Sequence, residues 1–434
     1  MVTARRAVVL VGNPAAPYSR ALRVGRALVA EGYSVEIAAV AATGQPAEGR
    51  EGEIVVRRYA QGGPWAAVGR SASRPLRPGI AGRLLRAPAT VRRWLLWPHT
   101  VRGWWASLAD RLEPADLYHA CGSLTVKPAL DARRRHPLGP SGLPARVIYD
   151  AIDDVFESNN VLDMPAPIRA WHRRRETAWA RSADAVTTVN QPLADRLGAR
   201  WSVVPLVVPN YPEATTLPPG RGGPPDLIRQ ELGLGPGTAV VLFQGRLGPN
   251  LGLDQAAEAV LLVPGAVLAL LGFGRGFEAS LARDEDPHFA GRHRTLAARH
   301  PDELLAWTAS ADVALVPLPP VSVNQRLSSP NKFWEALLAG TPVVVPAGLE
   351  FMAGLVRASN LGAVAASESA ADLAVAIRSI LDRPASAREA WRTAIRAVAQ
   401  ERFVWPLAEA VYRDLVRSLQ GPAAAVAGVQ AAGG

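Results

Sequence analysis

Two runs of alternating strand-like and helix-like segments, parted by one stretch dense in proline and glycine, restrict this chain to very few architectures. AVVLVG reads as a buried strand, SRALRVGRALVAEG carries apolar residues at helical spacing and closes on Gly32, and SVEIAAV reads as the next strand. That βαβ rhythm belongs to a parallel sheet with helices on both faces. Later strands are expected at DLYHA (116–120), RVIYDA (146–151), AVTTV (185–189) and WSVVPLVV (201–208). After PNYPEATTLPPGRGGPPDL the alternation resumes through AVVLFQG, AVLALLG, ADVALVPL and PVVVP, with helices over LDQAAEAVLL and DELLAWTAS. The expected fold class is α/β, with two Rossmann-like doubly wound parallel-sheet domains facing across a cleft. These are residues 1–208 and 227–400, joined by a linker at 209–226 and followed by a helix at 401–420 and a disordered tail at 421–434.

Composition narrows the function classes. At 434 residues and 49% hydrophobic content, the chain has material for two or three cores. Its formal charge of +10 attracts anions: nucleotides, nucleic acid or an acidic membrane surface. Nucleic acid is the weakest of these, since there is no zinc-ligand spacing, no aromatic ribonucleoprotein pattern and no basic tail. One cysteine, Cys121, rules out an intrachain disulfide and fits a reducing cytosol. The apolar run in MVTARRAVVLVGNP is too short for a signal peptide, and the longest apolar stretch, Ala259 to Phe273, is broken by Pro264-Gly265. No membrane span is expected, and the expected location is cytoplasmic. Scarce lysine with abundant Ala, Arg, Gly and Pro fits a GC-rich bacterial genome.

Of the 48 basic residues only two are lysine, and one of them, Lys332, lies in SSPNKFWEALLAGTPVVVP. There Ser329 is placed to cap a helix, Pro330 to take its first position, and Gly340 with Pro342 to end it. Lys332 then falls in the first turn, where the macrodipole disfavours a cation unless an anion such as phosphate binds. Glu335 follows about 4.5 Å further along the same face. A phosphate-seeking group and a hydroxyl-seeking group one turn apart suit a nucleotide diphosphate. On an isolated helix the same two residues would be an ordinary surface ion pair.

Several segments together resemble the retaining family-4 glycosyltransferases (group 1). SSPNKFWEALLAGTPVVVP is similar to their nucleotide-sugar segment and FQGRLGPNLGLDQAAEAV to their diphosphate loop. NPAAPYSRALRVGRALVAEGYSVEIAA resembles their first βαβ unit, and DLYHACGSLTVKPAL, RVIYDAIDDVFE and VVPNYP follow in the family's order. The resemblance implies the GT-B fold, with a C-terminal helix crossing back to the N-terminal domain. It implies that Gly245 and Arg246 meet the donor diphosphate, that Ser329, Asn331 and Lys332 lie near its phosphates, and that Glu335 accepts from the ribose hydroxyls. Arg246 and Lys332 would stabilise the leaving diphosphate, so no metal or further cofactor is implied beyond a UDP- or GDP-linked sugar as co-substrate. His119 is placed near the sugar or acceptor, with a satisfied structural histidine as the alternative. Arg20, Asp150, Asp153 and Glu157 are the expected acceptor contacts, with loop or helix-start solvation as their alternative.

The departures from the family matter as much. Leu251 stands where a second basic residue is usual, Leu327 where a glutamate often lies, and Ile152-Asp153 where His-Glu is common. Arg275 in LGFGRGF is a candidate to compensate. Between residues 70 and 108, arginines interleave with Trp94, Trp97, Trp104 and Trp105. That pattern suits peripheral contact with the anionic inner face of the plasma membrane, or packing of the tryptophans on the first domain's core. The expected activity is metal-independent transfer of a sugar, with retention, from a nucleotide-diphosphate sugar to a glycan, lipid-linked or small-molecule acceptor, as in envelope polysaccharide synthesis. The competing expectations are a nucleotide-sugar epimerase or hydrolase of the same fold, and a catalytically silent partner protein.

Overall fold

The computed structural model describes residues 5–15, 19–60, 108–214 and 226–420. The chain divides into two units, Met1–Pro209 with Ala408–Gly434, and Asn210–Leu407. The first is built on β1 (Arg5–Val11), β2 (Tyr33–Val40), β3 (Glu48–Glu51), β4 (Ile54–Tyr59), β5 (Leu117–Cys121), β6 (Arg146–Asp150), β7 (Ala185–Thr188) and β8 (Leu206–Val207). Their order is β3-β4-β2-β1-β5-β6-β7-β8, and every neighbouring pair is parallel except β3 with β4. Ala7 to Val11 are fully buried, as a strand covered on both faces requires. Register prepares the strand ends: Cys121 of β5 pairs with Asp150 of β6, and Asp150 with Thr187 of β7. Three neighbouring strands therefore finish with polar side chains alongside one another.

EGRE and IVVRRY form an antiparallel edge hairpin over Gly52-Glu53, with Gly52 at φ 62° as tight hairpin turns demand. Charged residues are tolerated at an edge, so no apolar run announces it. WSVVPLVV is not one strand: Trp201 closes the helix Gln191–Trp201, Ser202 caps it in the left-handed region at φ 55°, and only Leu206–Val207 pairs with β7.

The second unit holds β9 (Ala239–Arg246), β10 (Ala266–Phe273), β11 (His293–Ala297), β12 (Val313–Leu315), β13 (Val343–Pro346) and β14 (Gly362–Ala365). All are parallel, in the order β11-β10-β9-β12-β13-β14. Phe243, Leu268 and Leu270 of the sheet share a core with Phe333, Trp334 and Leu337 of the helix Asn331–Leu338. Each such side chain contributes about 1.5–3 kcal/mol by leaving water. The helix ends in a Schellman turn: Gly340, at φ 71°, donates to Leu337 O at 3.0 Å, and Thr341 N donates to Ala336 O at 2.9 Å. Its start differs from expectation, since Pro330, not Ser329, holds the cap position and Asn331 begins the helix.

The last helical stretch is two helices, Ala385–Arg402 and Trp405–Gln420, and the second belongs to the first unit from Ala408 onward. Among the described residues no helix is long and apolar enough to cross a membrane. The Arg/Trp stretch up to residue 107, residues 215–225 of the expected linker and the tail at 421–434 lie outside the described residues.

Candidate functional site

In an open parallel sheet, ligands bind beyond the carboxyl ends of the strands, where neighbouring strands send their connections in opposite directions. In the second unit that point lies between β9 and β12, and β9 finishes there as Gln244-Gly245-Arg246. Gly245 has φ 114°, a conformation closed to ordinary side chains, and a Cβ on it would stand 3.5 Å from Lys332 Nζ. Gly272 of β10 allows a similar approach, because a Cβ there would lie 2.3 Å from the Gly245 carbonyl. Leu247 N donates to Phe273 O at 2.7 Å, which fixes the residue after Arg246 against the LGFGRGF turn.

Lys332 reaches the same edge from the first turn of its helix. Its Nζ lies 3.5 Å from the centre of the Phe243 ring, a cation–π contact. Burial pushes the Lys332 ammonium down to about 7; Glu335 opposes that shift and the Arg246 charge reinforces it. Arg246 itself is exposed, and no carboxylate pairs with it among the described residues. Two like charges held this close favour an arriving anion, and phosphate matches both donors.

Glu335 supplies the opposite chemistry. Its Oε2 accepts from Gln244 Nε2 at 2.6 Å, so its position is tied to the end of β9. Asn331 Oδ1 accepts from the Asn210 amide, and Ser329 is buried just before the helix. The structure thus brings Gly245, Arg246, Lys332 and Glu335 to one strand edge, with Ser329 and Asn331 at the adjoining helix start. Gln244 escaped the sequence reading, although a lone polar residue closing the apolar run AVVLF was a usable signal. Leu251 packs against the unit's core, and Leu327 follows the short helix Val323–Arg326. Arg275 is exposed in the turn after β10.

The first unit's strand edge is built otherwise. Arg20 and Asp150, expected at an acceptor, pair with each other: Arg20 Nε donates to Asp150 Oδ2 at 2.6 Å and Nη2 to Oδ1 at 2.7 Å. Only 2% of Arg20 and none of Asp150 is exposed. Arg20 Nη1 also donates to Val208 O, and Thr187 Oγ1 to Asp150 Oδ1. Burial pushes the Asp150 carboxyl up, yet the Arg20 charge and hydrogen bonds, with His119, hold it below the ordinary carboxylate range. His119, expected near the reacting sugar, is a buried link: Nδ1 lies 3.1 Å from the Tyr412 hydroxyl and Nε2 3.4 Å from Asp150 Oδ2. Glu157 pairs with Arg173 at 2.8 Å, Asp154 is buried between Arg196 and Arg200, and Asp153 stands exposed beyond β6.

His119, Cys121 and Asp150 bring their possible ligand atoms within 4.8 Å of one another. The Arg20 guanidinium already neutralises that carboxylate, and burial pushes the Cys121 thiol up, so the set suits an ion-pair core and not a cation.

Comparison with known proteins bears on the second unit most directly. Residues 238–383 match the family model described as glycosyl transferases group 1. The chain is 29% identical over 210 residues to D-inositol 3-phosphate glycosyltransferase 2 of Catenulispora acidiphila, a match covering 45% of this chain and 47% of the relative. The match therefore spans about half the length of that curated relative. Sucrose-phosphate synthase from Thermosynechococcus elongatus is similar in structure, with a TM-score of 0.68 at 19% identity over 96% of this chain and 99% of that one. HepE of Anabaena, solved in complex with UDP and glucose, has a TM-score of 0.64 at 16% identity over 96% of this chain and 100% of that one. At these identities the structural likeness speaks for the fold, which is GT-B. The chain therefore has the GT-B fold, and residues 238–383, at the centre of its second unit, match the group 1 glycosyltransferase domain.

Proposed function

We propose that the chain transfers a sugar, with retention and without a metal, from a nucleoside-diphosphate sugar to an acceptor hydroxyl. The observation that carries this reading is the pairing of Arg246 and Lys332 at the carboxyl end of β9, with Glu335 held beside them by Gln244. In the reaction the bond between the sugar's anomeric carbon and the diphosphate oxygen breaks, and a bond from that carbon to the acceptor oxygen forms. The acceptor's proton passes to the leaving phosphate, on the same face of the sugar. Arg246 and Lys332 neutralise the charge that grows on the diphosphate, which is the task a metal ion performs elsewhere. Glu335 accepts hydrogen bonds from the ribose. The acceptor falls to the first unit, where Asp153 is exposed beyond β6 and Asp150 and Glu157 pair with Arg20 and Arg173. The cytoplasmic setting and the envelope-polysaccharide role expected from the sequence go with this proposal, and a UDP- or GDP-linked donor is its first candidate.

Leu251 favours one competing reading, a GT-B protein that binds weakly and has no activity, because a partly buried leucine packed against the core occupies a position where relatives usually place a cation. A thermal-shift panel of UDP, GDP, ADP and dTDP separates the two. The transferase reading expects at least one to raise the melting temperature, since a ligand at 100 times its Kd stabilises the folded state by about 2.7 kcal/mol. Absence of any shift at millimolar ligand would favour the silent reading. Incubating the matching nucleotide sugar without acceptor then tests for an epimerase or hydrolase, either of which would turn it over rapidly.

A further inference from the structure

Behind the cationic edge of the second unit runs a chain of buried hydrogen bonds. Gln244 is 5% exposed, and its Nε2 donates to Glu335 Oε2 at 2.6 Å. Thr308 Oγ1, in the helix Pro301–Ala309, lies 2.6 Å from Gln244 Oε1 and 2.7 Å from Leu304 O. Thr341 Oγ1, just past the glycine that ends the Glu335 helix, donates to Thr308 O at 2.9 Å. A buried amide is costly unless both its ends are bonded, and here both are. The carboxylate demands the NH2 end, because a flipped amide would set Oε1 against Glu335. Three elements, the end of β9 and two helices, thus hold one carboxylate in one place.

We propose that Gln244, backed by Thr308, is a positioning residue: by fixing Glu335 it sets how strongly the site prefers a nucleoside diphosphate with both ribose hydroxyls over its 2′-deoxy form. This rests on the donor reading above. A carboxylate already fixed accepts hydrogen bonds from two neighbouring hydroxyls without a further ordering cost. When one hydroxyl is missing, an oxygen desolvated by the ligand is left without its donor, and sites built to hydrogen-bond a hydroxyl reject the analogue that lacks it. Without the Gln244 bond the carboxylate loses one of the contacts that fix it, and the penalty for the missing hydroxyl shrinks.

The test is calorimetric titration of UDP and 2′-deoxy-UDP, and of GDP and 2′-deoxy-GDP, into the full chain and its Gln244→Ala and Gln244→Glu variants. The parent is expected to prefer the ribonucleotide by roughly tenfold or more, as a charge-assisted hydrogen bond supplies. Gln244→Ala should keep diphosphate binding while that preference falls to within about threefold. Gln244→Glu sets two carboxylates together, so between pH 6 and pH 8 its binding should weaken more steeply than the parent's. A structural role alone would weaken both sugars alike and leave their ratio unchanged. Equal binding of ribo and deoxy forms by the parent, or an undiminished preference in Gln244→Ala, would overturn the inference while the donor reading stands. If no nucleoside diphosphate binds the parent, the donor reading falls and the inference falls with it.

Discussion

The two strand edges of this molecule carry similar residue types and put them to opposite uses. In the first unit Arg20, Asp150, His119, Thr187 and Tyr412 face one another, nearly all of their surface buried, and each charge is answered within the unit. In the second, Arg246 is exposed without a carboxylate partner among the described residues, and Lys332 is pressed onto an aromatic ring beside it. The difference teaches that charged residues at the carboxyl ends of strands can be left for a ligand or consumed by the protein's own ion pairs. In the first unit the protein neutralises these charges itself, and in the second it leaves Arg246 unanswered by any carboxylate among the described residues.

That comparison breaks most easily through stability. Asp150→Ala should cost about 3–5 kcal/mol in denaturant melts, because it leaves the Arg20 guanidinium buried without its anion. Lys332→Ala should change stability by less than about 1 kcal/mol, since the charge it removes is one that burial disfavours. Equal losses at the two positions would erase the distinction.

Ligand binding sharpens the comparison from the other side. Lys332→Ala and Arg246→Ala should each weaken nucleoside-diphosphate binding by roughly tenfold or more in calorimetry, the worth of a charged hydrogen bond. Arg20→Lys, which keeps the buried charge, should leave that binding unchanged. A smaller effect concerns Leu251. Leu251→Lys is expected to raise diphosphate affinity by at most a few fold, while costing about 1–2 kcal/mol of stability because the leucine packs against the core. An affinity gain with no stability loss would mean that the leucine's packing is dispensable.

Much of this contrast was legible in the sequence, for reasons particular to each element. AVVLVG, AVVLFQG and AVLALLG announced buried parallel strands because both faces of each are covered. EGRE, HRTLA and GAVA did not, being short and mixed or small in side chain. Lys332 and Glu335 were legible because helix spacing alone places them on one face. The Arg20–Asp150 pair was not: its members are 130 residues apart, and only the sheet order brings them together. Gln244 stood out as the one polar residue closing AVVLF, but its partner Glu335 lies 91 residues away and only the fold brings the two together.

The central claim is that Lys332 meets the donor phosphates, and proton linkage tests it most directly. Burial sets the free ammonium at about 7, and a bound diphosphate must raise it. Affinity should therefore fall as pH rises above 7, by up to about tenfold per unit until the bound-state value is reached. Titrating a nucleoside diphosphate at pH 8 in buffers of different ionisation enthalpy should show uptake approaching one proton per ligand for the parent and none for Lys332→Met. Binding of the same affinity with no proton uptake in the parent would contradict the account.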